Sequence, residues 1–139
     1  MATAKVLPCL WFDGNAEEAA EFYVTLLPNS HVDNVWRSPA ETPSGPAGMI
    51  LTVDFTVAGQ QFQGLNGGPD FTFNESVSFV IECEDQAEVD RLWESLTANG
   101  GEAGPCGWLK DRFGLSWHIV PRRLGELVND PDPERAADA

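Results

Sequence analysis

One helix is written twice in this 139-residue chain, at a fixed spacing. Asn15, Glu18, Phe22, Tyr23, Leu26 and Asn29 are answered by Asp85, Glu88, Leu92, Trp93, Leu96 and Asn99, every pair 70 residues apart (85 − 15, 88 − 18, 92 − 22). An Asn or Asp can cap each helix start, and the Glu three residues later can bond back to the cap residue. The apolar positions recur at i, i+3, i+4 and i+7, which gathers them on one face of a helix. A short apolar run precedes each copy, Val6 to Phe12 and Val77 to Ile81. A strand followed by a capped amphipathic helix, used twice, restricts the chain to a duplicated α+β module. A module of this kind tends to place its ligand site between the copies.

Length and charge bound the rest. A chain this long builds one domain with a real core and is short for two. Eight Lys and Arg residues against 22 Asp and Glu leave a formal charge of −14, a field that repels phosphate backbones and anionic headgroups. No apolar stretch approaches the ~18 residues of a membrane span, and the N-terminus lacks the basic-then-apolar pattern of a signal peptide. A soluble, cytoplasmic protein with no nucleic-acid or membrane partner is therefore expected. Cys9, Cys83 and Cys106 form no metal-type pair, and an odd count argues against a disulfide framework. Cys106, in the turn Gly104-Pro105-Cys106-Gly107, is the best candidate for a reactive thiol, although no basic neighbour lowers its pKa.

Along the chain, the pattern predicts a strand over Val6–Phe12 and a helix over Ala16–Leu27, stopped by Pro28 and Asn29. A strand over His31–Arg37 leads into a flexible loop, Ser38–Gly48. Met49, Leu51, Val53, Phe55 and Val57 then alternate with Thr52, Asp54 and Thr56, the signature of a half-buried strand. Ala58-Gly59 turns the chain into a strand over Gln60–Asn66, and Gly67-Gly68-Pro69 marks the module boundary. The second half repeats the order, with a strand Ser76–Cys83, a helix Gln86–Ala98 and two shorter strands, Gly107–Asp111 being the better defined. The turn Asp111-Arg112-Phe113-Gly114 then leads into a last strand, Leu115–Pro121. Module one is expected at about 5–67, module two at about 71–121, and a tail at 122–139, where Asp132-Pro133 could cap a short helix.

A βαβββ order used twice, with a D-x-F-G turn before a Trp-containing last strand, resembles the vicinal oxygen chelate superfamily of glyoxalase I, extradiol dioxygenases and bleomycin-resistance proteins. The strings N-G-G-P-D-F-T-F-N-E-S-V-S-F from Asn66 and C-G-W-L-K-D-R-F-G-L-S-W-H-I-V-P from Cys106 resemble its PhnB-like subfamily. So does D-G-N-A-E-E-A from Asp13; that subfamily is often labelled 3-demethylubiquinone-9 3-methyltransferase-like. The resemblance covers about Val6 to Pro121. It implies an α+β fold, tandem βαβββ modules forming curved mixed sheets around a cavity, and a homodimer.

The resemblance also implies four ligand positions, on the first and last strand of each module. Counting back from Phe22 and Leu92 gives Pro8 and Ser78; counting on from Gly59 and Gly114 gives Gln63 and His118. Of these only His118 is a good transition-metal ligand, so no metal is expected. Nor does a glycine-rich strand-to-helix turn announce a nucleotide-type cofactor such as S-adenosylmethionine, since Asp13-Gly14-Asn15 holds a single glycine.

Strand alternation is expected to bring Pro8, Leu10, Gln63, Ser78 and His118 to one side as the pocket lining. Trp108 and Lys110 stand at its rim, with Lys110 either receiving an anionic ligand or serving as a surface lysine. Trp11, Trp93 and Trp117 are assigned to the core under the helices, His31 to the surface, and Phe71 and Phe73 to a cap over the cavity or a subunit contact. His118 reads either as a ligand-binding or acid–base group or as a polar residue tolerated in a wet cavity. The reading is a metal-free protein binding a small, partly apolar molecule between its modules. The alternatives are an enzyme using His118 as acid or base on an aromatic, quinone-like or carbonyl compound, and a dimeric module that docks a partner protein.

Overall fold

Strand alternation and helix caps, repeated, set the architecture. The computed structural model describes residues 5–43 and 45–121, so the tail 122–139 and the cap at Asp132-Pro133 lie outside the described residues. Among the described residues, the first module runs β1 (Cys9–Phe12), α1 (Ala16–Tyr23), β2 (His31–Arg37), β3 (Ile50–Val57) and β4 (Gln60–Asn66). The second runs β5 (Ser78–Cys83), α2 (Gln86–Thr97), β6 (Glu102–Ala103), β7 (Trp108–Lys110) and β8 (Ser116–Pro121). The chain divides into two compact units between Thr72 and Phe73. The strand orders are β1-β4-β3-β2 and β5-β8-β7-β6. In each sheet the first strand runs parallel to the last and the other neighbours are antiparallel. Each unit is thus an open, mixed four-stranded sheet carrying one helix, the expected α+β arrangement.

In the first unit, α1 presents Ala16, Ala19, Ala20 and Tyr23 to a sheet face built from Leu10, Phe12, Val53, Phe55, Val57 and Phe62, all buried. Each large apolar side chain removed from water there contributes about 1.5–3 kcal/mol. The alanines let the helix sit close, and Gly64 of β4 permits that approach, because a Cβ there would press on Ala16 and Phe12. In the second unit α2 buries Leu92 and Leu96 against Ile81, Cys83, Leu109, Trp117 and Ile119.

The two helices start differently despite their matching sequences. Asp85 caps α2 as expected, its Oδ1 accepting the Glu88 amide at 2.8 Å, while Glu88 Oε1 reaches back to the amide of Glu84 at 3.2 Å. Asn15 makes no side-chain cap bond to α1. The amide of Ala16 is taken instead by Asn66 Oδ1 at 2.9 Å, from the end of β4. Helix α1 also stops at Tyr23, short of the expected Leu27. The amides of Thr25 and Leu26 bond three residues back, to Phe22 and Tyr23, tightening the last turn ahead of Pro28. Leu26 is buried all the same.

The β3–β4 hairpin turns through Ala58 (φ 48°) and Gly59 (φ 85°), the two positive φ values of a type I′ turn. Ser30 Oγ accepts the Ala58 amide at 2.9 Å and compensates the left-handed alanine. The loop after β2 is pinned at its base: the Ser38 amide bonds to Met49 O and the Gly48 amide to Ser38 O, both at 2.8 Å, and Ser38 is buried. Among the described residues no helix is long and apolar enough to cross a membrane.

Candidate functional site

The face of each sheet turned away from its helix carries the polar side chains. In the first unit, Asp54 of β3 accepts the Trp36 indole N–H at 2.8 Å on one oxygen and the Gln63 amide N–H at 3.3 Å on the other. Asp33, thrown out of the β2–β3 ladder by a bulge, accepts the Thr56 hydroxyl at 2.8 Å and lies 2.7 Å from His31 Nδ1. These groups border a cleft of about 370 Å³ lined by Leu7, Asp33, Asn34, Asp54, Gln61 and Gln63. Cys9 pairs with Gln63, and burial raises its thiol pKa.

Trp11 lies on this same open face and not in the core. Its indole N–H donates to Gly68 O at 2.9 Å and its ring meets Phe71 edge-on, centroids 4.9 Å apart. Gly67 carries no side chain because a Cβ there would enter the indole.

In the second unit, β8 and β7 bring His118, Trp108, Lys110 and Ser116 together. Trp108 pairs with His118, and their rings stack 4.3 Å apart and 9° from parallel. His118 Nε2 is 3.0 Å from Cys106 O. A carbonyl only accepts, so Nε2 is the donor of this bond. The carbonyl is placed by a tight turn in which Cys106 (φ 55°) and Gly107 (φ 85°) are both left-handed. Cys106 thus contributes its backbone carbonyl to this cluster, a role that side-chain patterns do not signal, while its thiol is exposed.

Lys110 forms an ion pair with Glu75. The Glu75 carboxylate raises the Lys110 pKa, and the ammonium lowers that of Glu75. Ser116 lies directly across the ladder from Lys110, and its buried Oγ has no hydrogen-bond partner among the described residues. Glu75, Glu102, Pro105, Trp108, Lys110 and Ser116 line a second cleft of about 270 Å³.

Gln63, Ser78 and His118 therefore each occupy the open face of their own sheet, but Leu10 does not. Leu10 is 6% exposed and sits with Phe12 on the helix side, so it is core and not pocket wall. Pro8 precedes β1, half-buried, and its carbonyl accepts the Gln63 amide at 2.9 Å. The reason for the slip is one residue of loop. Cap residues Asn15 and Asp85 are 70 apart, whereas the strand residues opposite Gln63 and His118, Cys9 and Val80, are 71 apart. The first strand-to-helix link holds the extra residue, accommodated at Gly14 (φ 83°). By strand pairing, then, the two last-strand positions are Gln63 and His118 and their first-strand partners are Cys9 and Val80. Within their own units, Gln63 turns its amide nitrogen to Asp54, His118 turns Nε2 to a carbonyl, and Val80 offers no donor, which leaves the Cys9 thiol as the one soft ligand of the first unit's pair. Among the described residues no three His, Cys, Asp or Glu side chains gather closely enough to hold a metal ion.

The family model for 3-demethylubiquinone-9 3-methyltransferase matches residues 4–120. The chain belongs to that family, the PhnB-like proteins. A PhnB protein from Bacillus cereus is similar in structure, with a TM-score of 0.73 at 29% identity over 85% of this chain and 99% of that one. A genomically encoded fosfomycin resistance protein from Listeria monocytogenes gives 0.58 at 18% identity over 94% and 100% of the two chains. A glyoxylase/bleomycin resistance protein/dioxygenase domain from Frankia sp. EAN1pec gives 0.52 at 14% identity over 87% and 98%. The last two share the fold alone. No curated protein matches the sequence significantly.

Proposed function

We propose that this PhnB-like protein is a metal-free binder of a small, partly apolar molecule. The observation that carries the reading is the pair Gln63 and His118. At the last-strand positions, each stands on an open sheet face with its nitrogen already engaged by an oxygen of the same unit. Groups held in this way present fixed donors, acceptors and an aromatic face, the usual furniture of a ligand pocket. Pro8 and Ser78 belong to the same proposal as flanking residues, with Trp108 and Lys110 at the rim. A methyl-transferring role finds no support in the Asp13-Gly14-Asn15 turn, which lacks a nucleotide-type glycine motif.

A second reading rests on one atom. His118 bonds a carbonyl through Nε2, which leaves Nδ1 as the nitrogen an enzyme could use as a base towards a bound carbonyl or aromatic compound. Among the described residues the His118 ring is bonded to a carbonyl and not to a carboxylate, which favours binding over catalysis. The proposal includes a homodimer: β2 is an edge strand with Val35 43% and Trp36 54% exposed, and such edges are commonly paired off. Sedimentation showing a monomer at micromolar concentration overturns that part.

The binding reading is tested by native mass spectrometry of the full chain purified from its own source. A retained organic molecule, released on collisional activation, is the expected result. A protein that arrives without one, and that perturbs no member of an aromatic and carbonyl fragment set by NMR, overturns it.

A further inference from the structure

We propose that the cleft of the second unit takes an aromatic carboxylate, whose carboxylate displaces Glu75 from Lys110 and accepts a hydrogen bond from the Ser116 hydroxyl while its ring lies along Trp108. The inference rests on the binding reading above and names the ligand class for one cleft. Four observations converge on it. Ser116 is 2% exposed, lines the cleft, and its hydroxyl has no partner among the described residues. A buried hydroxyl left unmade is costly, so the position is explained by a group that arrives from the cleft. Lys110 is the cross-strand neighbour of Ser116, and side chains directly opposite on antiparallel strands stand about 5 Å apart, so ammonium and hydroxyl can both reach one carboxylate. That ammonium already holds a carboxylate: the chain's own Glu75, from the segment before β5, 68% exposed and able to swing into water. Trp108 lines the same cleft, 38% exposed, its ring held flat by His118.

The charge balance makes Glu75 a competitor. In a protein of net charge −14, and with Glu102 also facing the cleft, an external anion is disfavoured unless it replaces an anion already there. Exchange of one carboxylate for another leaves the local charge unchanged. The incoming one adds ring contact with Trp108 and the Ser116 hydroxyl bond that Glu75 does not make. A neutral amide of the same shape keeps the ring and the hydroxyl bond but does not compete for the ammonium.

The test compares benzoate with benzamide by calorimetry and Trp fluorescence on the full chain and on the variants Glu75→Gln, Lys110→Gln and Ser116→Ala, with thermal melting as the folding control. Removing the internal competitor in Glu75→Gln should tighten benzoate by at least about threefold, and Lys110→Gln should weaken it about tenfold, the scale of one charge-assisted bond. Benzamide should change less than about twofold in both, and Ser116→Ala should weaken both compounds, as loss of a shared hydrogen bond requires. Benzoate affinity that is indifferent to Glu75→Gln or Lys110→Gln overturns the inference. Benzamide binding at Trp108 in that case leaves the broader binding reading standing. If neither compound perturbs Trp108, the inference falls, and the retained-molecule experiment decides the broader reading separately.

Discussion

The Asp111 carboxylate lies 2.8 Å from the indole N–H of Trp117, both side chains buried in the second unit. Its other oxygen accepts the amides of Phe113 at 2.9 Å and Leu115 at 3.1 Å. One residue thus closes the D-x-F-G turn and fixes the tryptophan that packs beneath α2. Asp111→Ala leaves three donors without this acceptor, and by the usual cost of unmade buried bonds it should destabilise the fold by about 2–4 kcal/mol. Asp111→Asn, which keeps an acceptor oxygen, should cost less. Urea unfolding of the two variants checks the order; equal stability of Asp111→Ala and the parent chain contradicts it.

Gly67→Ala should be a costly methyl. The added Cβ enters the Trp11 indole, which must swing out, losing its bond to Gly68 O and its edge contact with Phe71. Overpacking of this kind costs about 1–3 kcal/mol, and the Trp emission should shift red as the ring is exposed. The paired variant Gly68→Ala tests the neighbour, where nothing blocks a Cβ but φ is 104°. It should be strained in the backbone without moving Trp11.

Cys83 should make the alkaline limb of stability steeper. Burial, with the Glu88 carboxylate nearby, pushes its thiol pKa up to about 11 from the ordinary 9.0. The unfolded chain therefore ionises first, so the contribution of the neutral buried thiol is whole below pH 9 and is lost as pH rises towards 11. Cys83→Ala should flatten that part of the stability–pH curve relative to the parent. At pH 8, iodoacetamide should label the exposed Cys9 and Cys106 and spare Cys83 until the protein unfolds; prompt native labelling of Cys83 contradicts its placement.

The sequence makes the amphipathic helices, the alternation of Val53, Phe55 and Val57, and the D-x-F-G turn legible because each is a local pattern. What escaped depends on distance in the chain. The cap of α1 comes from Asn66, 50 residues beyond Ala16, so the matching Asn15 was a false equivalent of Asp85. One extra loop residue around Gly14 shifts the first strand against its helix, and a shift of one residue exchanges the faces of a strand. That single shift moved Leu10 into the core and Trp11 out to the open face. Ser78, displaced by two positions from the partner of His118, stays on its face for the same reason. The partner of His118 is a backbone carbonyl, which no side-chain pattern announces.

The proposed binding role gives Gln63 and His118, each in its own unit, a place beside a small molecule and no metal to hold. Elemental analysis of the full chain, purified from its own source and again after incubation with zinc, nickel and iron(II) followed by gel filtration, tests it most directly. No stoichiometric metal is expected in either sample, and no change on His118→Ala. One equivalent of a transition metal per chain, retained through the column and lost from His118→Ala, contradicts it.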